Sequence, residues 1–254
     1  MTQITLQNKI ALISGASRGI GAAVARDFAL AGADLALTAR TTPALEALAT
    51  EIRALGRKVL VISADLAAPA TPEAIVAATV QEFGRVDVVV NNAGISPIFK
   101  NAVDTTRAEW EEIFTLNMTV PFLVSQAAAK AMIAAGNGGS IIQMASVAAF
   151  LGGSRIAAYA ATKAALVSAT KSLALEWARY RIRVNAIAPG YVTTDMTAGM
   201  MSVPKYADAI RNSTPQGRLG EPDEISGIAV YLASDAASFA TGQAFVIDGG
   251  ISLG

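Results

Sequence analysis

The chain has 254 residues, enough to bury a substantial core, and its 20 basic residues balance 20 acidic ones. That balance leaves no positive excess for a phosphate backbone or an anionic bilayer, so neither nucleic acid nor membrane is an expected partner. The sequence contains no Cys and no His, which excludes disulfides, thiolate nucleophiles, Ser-His-Asp relays and imidazole-held metals. Proton transfer is left to Asp, Glu, Lys or Tyr, and no metal site is expected.

In chain order, short β-branched runs at 9–14, 34–39, 58–63, 86–91, 140–145, 182–188 and 244–248 alternate with longer Ala/Leu-rich stretches near 18–31, 43–56, 71–83, 107–135, 157–180 and 222–233. The short runs read as strands buried on both faces, and the long ones as crossover helices. Strict alternation predicts right-handed βαβ units: an α/β fold of the Rossmann-like, doubly wound type, with about seven parallel strands and ligands beyond the strand carboxyl ends. No repeat or charged linker marks a second domain, so one domain over 1–254 is expected. Residues 190–218, rich in Gly, Pro, Ser and Thr, break the rhythm and read as a loop with a short helical stretch, positioned to cover a site. Hydrophobic residues make up 53% of the chain, in short runs that do not reach bilayer length. The opening MTQITLQNK carries no export signal, so a cytoplasmic location is expected.

The first strand runs into SGASRGIG at 14–21, where Gly15, Gly19 and Gly21 allow a tight turn and aim the next helix's amides at a phosphate. Residues 15–19 also fit G-x-S-x-G, but a nucleophilic Ser17 needs a base that the chain lacks. At the end of the second strand, where a carboxylate suited to ribose hydroxyls is usual, stands Arg40; together with Arg18 it favours a 2′-phosphate, hence NADP(H) over NAD(H). The fourth strand ends in NNAG at 91–94, which the topology brings beside the glycine loop. Tyr159 and Lys163 share one helix face. An ammonium near the phenol lowers its pKa, making Tyr159 the expected acid/base. Ser146, at the end of the fifth strand, is placed to hold a substrate oxygen, and Asn117 is an unfavourable mid-helix residue that invites a bend or a water.

Taken together, SGASRGIG, NNAG, Asn117, Ser146, YAATK at 159–163 and PGYVTT at 189–194 resemble the short-chain dehydrogenases/reductases, over essentially the whole chain. The resemblance implies an oxidoreductase acting on the CH–OH group of donors, with a catalytic set of Asn117, Ser146, Tyr159 and Lys163. It also implies cofactor contacts from Gly15, Ser17, Arg18, Gly19, Ile20, Gly21, Arg40, Asp65, Leu66, Asn91, Ala93, Gly94, Tyr159, Lys163, Pro189, Gly190, Val192 and Thr194. Homotetramers are common in the family, with the Tyr159 helix and residues 222–254 at the interfaces. The expected substrate wall comprises Ile95, Phe99, Ser146, Phe150, Leu151, Ile156, Tyr191, Met196, Met200 and Met201. Being largely apolar, it suits a modestly hydrophobic ketone. A 3-ketoacyl thioester or a sugar acid is the alternative within the family, and a non-catalytic NADP sensor is the alternative from another class.

Overall fold

The computed structural model describes residues 4–96 and 99–253; the first residues of the N-terminal reading and the last of the 222–254 segment lie outside them. One parallel sheet carries β1 (Ile10–Ser14), β2 (Asp34–Ala39), β3 (Val59–Ser63), β4 (Val88–Asn91), β5 (Gly139–Met144), β6 (Ile182–Pro189) and β7 (Ala244–Ile247), in the spatial order β3-β2-β1-β4-β5-β6-β7. Each strand lies within a residue or two of its predicted run. The reversal falls between β1 and β4, whose register pairs Ala11 with Val88 and Ile13 with Val90. Because all strands run the same way, the loops leaving β1 through β6 open on one edge of the sheet.

Alternation along the strands divides the core into two layers. Ala11 and Ile13 of β1 pack with Phe28, Leu45 and Ile225, while Leu12 faces Ile75, Met132 and Leu173. The first layer is closed by α1 (Gly19–Leu30), α2 (Thr42–Ala54) and α9 (Pro222–Ala233). The second is closed by α3 (Thr71–Phe83), α5 (Val120–Ala135) and α6 (Ala157–Trp177). Local chemistry sets the helix ends. Pro43 and Pro72 lie in the first turns of α2 and α3, and left-handed glycines, Gly84 and Gly136, stop α3 and α5. A Thr106–Glu109 capping box starts α4 (Arg107–Phe114).

Three expectations need correction. Burial on both faces holds for β1, β2, β4, β5 and β6, whereas β3 and β7 are largely half-buried because they form the sheet edges. The stretch 190–218 holds two helices, α7 (Asp195–Met201) and α8 (Pro204–Ser213), not one short one. Thr194 and Thr197 form a capping box at α7, and Pro204 opens α8, so the polar and Pro residues that read as loop mark helix starts. Finally, Arg107–Ala135 is one helical stretch of 29 residues, long and apolar enough to cross a bilayer by length and composition. Here Val120, Val124, Ala128 and Met132 turn one face of it into the core.

Asp87 secures the amino-terminal edge of the sheet. Almost wholly buried, it accepts from the Ile10 amide at 2.9 Å and the Asn137 side chain at 2.9 Å, and it pairs with Arg85. Asp87→Ala strands the Ile10 N–H and should lower unfolding stability by about 2–4 kcal/mol, read by urea denaturation; a loss below about 0.5 kcal/mol would contradict this role.

Candidate active site

The sequence-predicted site residues gather on strand ends, loops and helices at the carboxyl edge of the sheet, with Asn91 closing β4, Pro189 closing β6 and Asn117 inside a helix. After β1, the backbone turns at Gly15 (φ 66°), and a Cβ there would meet the Ala93 backbone at 2.8 Å. A Cβ on Gly21 would run into the Gly15 carbonyl. These two positions must be glycine for α1 to approach β1 and the NNAG turn so closely. α1 then begins with no side-chain cap and no acidic residue in its first turn. Its first amides are therefore unopposed donors, a suitable cradle for phosphate. Ser17 and Ile20 are half-buried in this loop.

Arg40 is exposed just past β2, with no carboxylate at that strand end. Arg18 is also exposed, but its guanidinium pairs with Asp195 at 2.8 Å, both side chains being about 70% accessible (70% and 69%). An ion pair so exposed is worth little, so Arg18 can exchange this carboxylate for a phosphate at small cost. Past β3, Asp65 is exposed and Leu66 is buried in the second core layer.

The glycine loop and the NNAG turn are locked together. Ser14 accepts from the Asn92 amide at 3.0 Å and the Ala93 amide at 3.1 Å, while the Asn92 side chain donates to the Ser14 and Gly15 carbonyls at 3.1 and 3.0 Å. Asn91 is buried and donates to Ser125 and to the Pro121 carbonyl. Gly94 is the floor beneath Asn117 and Lys163: a Cβ there would lie 3.2 Å from Asn117 Oδ1 and 3.6 Å from Lys163 Nζ.

Asn117 sits in a one-turn π-helical segment, Thr115–Thr119, between α4 and α5, which accounts for the unfavourable residue in mid-helix. It is fully buried, accepting from the Ile95 amide and donating to the Ile95 carbonyl, both at 2.8 Å, with Thr162 at 3.4 Å. The amide therefore fixes the β4 exit loop, and most of its hydrogen-bonding capacity is spent on the protein itself.

After β5, the Ser146 hydroxyl accepts from the Ala148 amide at 3.2 Å, capping a short turn, and lies beside the Tyr159 phenol. Tyr159 and Lys163 project from α6, with Lys163 Nζ 5.6 Å from the phenol ring centroid. Lys163 is buried and donates to the Met144 carbonyl at 2.7 Å. Burial lowers its pKa to about 8. It also pushes the Tyr159 phenol above its ordinary value, a rise that Ser146 opposes. The expected lowering of the phenol by the ammonium is therefore reversed: both groups are desolvated, and the ammonium is turned toward a carbonyl.

Pro189 is buried, and Gly190, Tyr191 and Thr194 are half-buried, past β6; Val192 is buried and bridges to Gly220. The Thr194 methyl would lie 3.2 Å from a Cβ on Gly19, which brings this loop over the start of α1. Of the apolar wall, Ile95, Leu151, Ile156, Met200 and Met201 are half-buried, whereas Phe99, Phe150 and Met196 are exposed. Sequence reading missed Ser14, Asn92, Thr162 and Asp195. The second Asn of NNAG was the available signal for Asn92, and Asp195 stands directly after Thr194.

The family described as "Enoyl-(Acyl carrier protein) reductase" matches residues 15–252. The chain is 37% identical over 250 residues to the 2-dehydro-3-deoxy-D-gluconate 5-dehydrogenase of Dickeya dadantii, covering 98% of each. It is 37% identical over 247 residues to an L-rhamnose 1-dehydrogenase (NAD(P)(+)) of a Sphingomonas species, covering 97% of each. Its structure is similar to that of a gluconate 5-dehydrogenase from Burkholderia cenocepacia in complex with NADP and tartrate, with a TM-score of 0.94, 36% identity, and coverage of 99% of this chain and 98% of the other.

The buried ammonium makes stability depend on pH. The folded chain holds the Lys163 proton less tightly than the unfolded chain does, so the charged form destabilises the fold below about pH 8, and that penalty disappears as the pH rises toward 10.5. Tyr159 acts oppositely, but only above its ordinary 10.0. Between about pH 7.5 and 9.5, urea unfolding should therefore show wild type gaining about 2 kcal/mol relative to Lys163→Met. A pH-independent difference would refute the buried ammonium.

Proposed function

The chain belongs to the short-chain dehydrogenase/reductase family, and from that premise we propose that it uses NADP(H) to interconvert a hydroxyl and a carbonyl on a sugar-derived, polyhydroxylated substrate, with Tyr159 exchanging the proton. It is an oxidoreductase acting on a CH–OH group by hydride transfer. The observation that carries the assignment of Tyr159 is its placement on α6 beside Ser146 and Lys163, with the phenol held protonated by burial. A protonated phenol can give its proton to a carbonyl oxygen as the carbon is reduced. Ser146 donates to that oxygen and orients it. Lys163 stabilises the phenolate left behind, and in the oxidative direction the phenolate takes the proton back. Asn117 is a positioning residue, holding Ile95 and the β4 exit loop under the site.

NADP(H) supplies or accepts the hydride at its nicotinamide ring. Gly15, Ser17, Gly19, Ile20 and Gly21 would hold the pyrophosphate, Arg18 and Arg40 the 2′-phosphate, and Asp65 and Leu66 the adenine. Asn91, Ala93, Gly94, Pro189, Gly190, Val192 and Thr194 would line the nicotinamide end, with Lys163 on the ribose. The unopposed amides of α1 and the absence of a carboxylate after β2 support this assignment. The relatives named for gluconates and for rhamnose favour a sugar acid or a neutral sugar over a simple hydrophobic ketone. Residues 190–218 would cover the bound substrate.

Cytoplasmic location and a homotetramer belong to the same proposal. Leu175 of α6 and Phe239 within 222–254 are 83% and 103% exposed, apolar surface of the kind an interface covers.

Tyr159→Phe should cut turnover by more than about 1000-fold with NADPH binding, followed by cofactor fluorescence, within about twofold of wild type; retained activity would remove the tyrosine from its role. For the cofactor, wild type should prefer NADPH over NADH in kcat/KM, and Arg40→Asp should move the ratio toward NADH by about 10- to 100-fold. An unmoved ratio would exclude Arg40 from the phosphate site.

A further inference from the structure

Arg155 lies on the loop between Ser146 and Tyr159, four residues before the tyrosine. Its backbone is left-handed, φ 68°, a conformation shared among the described non-glycine residues only with Asn8 and Arg181. A bulky residue held there costs conformational energy, and its location beside a reacting group is a reason to look for function. The guanidinium lies 5.5 Å over the Phe99 ring, and Phe99 in turn meets Tyr206 of α8 edge-on at 6.1 Å. Phe99 follows β4, Arg155 follows β5 and Tyr206 lies on α8 after β6, so the trio joins the three connections that leave these strands at the carboxyl edge, where Ser146 and Tyr159 also lie. Among the described residues Arg155 has no carboxylate partner and no hydrogen bond, whereas the neighbouring cations Arg18 and Lys100 are paired with Asp195 and Glu109. It is the one charged residue between Ala145 and Tyr159. Stacking over an aromatic face steadies a guanidinium while its in-plane N–H groups stay free, the geometry that grips a carboxylate with two hydrogen bonds.

We infer that Arg155 is a specificity-determining residue that binds the carboxylate of an anionic, polyhydroxylated substrate at the rim of the site. This rests on the sugar-derived substrate reading above and narrows it to the acids.

The test is NADP+-dependent oxidation of D-gluconate and of its uncharged counterpart D-sorbitol by wild type, Arg155→Gln, Arg155→Lys and Arg155→Gly, the last relieving the backbone strain. Arg155→Gln and Arg155→Gly should lose about 10- to 100-fold in kcat/KM for gluconate, mainly through KM, and stay within about twofold for sorbitol. Arg155→Lys should retain part of the gluconate preference, and salt should raise the gluconate KM of wild type but not of Arg155→Gln. Equal losses on both substrates, an unchanged gluconate KM, or a wild type active on sorbitol alone would overturn the role of Arg155 while leaving the substrate class standing. A wild type inactive on both compounds yet reducing simple ketones with NADPH would overturn the substrate class and this inference together.

Discussion

The site depends on one buried amide. Asn117 reads the backbone of Ile95 at both its N–H and its C=O, as a neighbouring strand would, and does so with no accessible surface of its own. A buried amide is expensive unless its hydrogen bonds are made, so the cost of burying Asn117 is also what fixes the β4 exit loop to a single position. The π-helical turn at Thr115–Thr119 carries Asn117 with its side chain turned inward. Through Thr162 the same amide reaches α6, which carries Tyr159 and Lys163. Gly94, lying between Asn117 and Lys163, leaves room on the crevice side where any side chain would intrude. Three separately folded segments thus converge on one point, and the Ser14–Asn92 contacts tie that point to the glycine loop across the β1/β4 reversal.

Much of this was legible in the sequence because it depends on periodicity. Doubly buried strands and amphipathic crossovers announce themselves, and in a parallel sheet their order alone puts the glycine loop, NNAG, Ser146 and PGYVTT on one edge. The absence of His and Cys then reduced the candidate acid/base residue types to four, the spacing of Tyr159 and Lys163 pointed to the tyrosine, and the resemblance agreed. Features that depend on what a side chain meets across space were not legible. Nothing in the residue type tells Asn92, which clamps two loops, from Asn91, which is buried against Ser125. α7 and α8 hid behind Thr and Pro residues that serve equally in caps and in loops. The sign of the Tyr159 shift was misread because spacing reports that an ammonium is near but not that both groups have lost their water.

The apolar wall also looked different in three dimensions. Phe99, Phe150 and Met196 are substantially exposed, so part of what read as a pocket lining is the rim of an open crevice. A rim can hold a polar, extended molecule whose hydroxyls stay in water, which an enclosed apolar pocket could not do without leaving those groups unpaired. This reconciles an apolar set of residues with relatives named for sugars and sugar acids.

In water an ammonium holds its proton slightly more tightly than a phenol, 10.5 against 10.0. Around Tyr159 and Lys163 that order is inverted, because desolvation penalises the ammonium and the phenolate alike. The inversion bears on the timing of the reaction. Surroundings that resist both of those ions also resist an alkoxide, so hydride arriving ahead of the proton would create a third charge of the kind the enclosure disfavours. When the oxygen receives the Tyr159 proton as the carbon receives hydride, no alkoxide forms, and the one anion left is the phenolate beside Lys163. Burial of the pair thus works against any path on which an alkoxide and a separate phenolate would be present together.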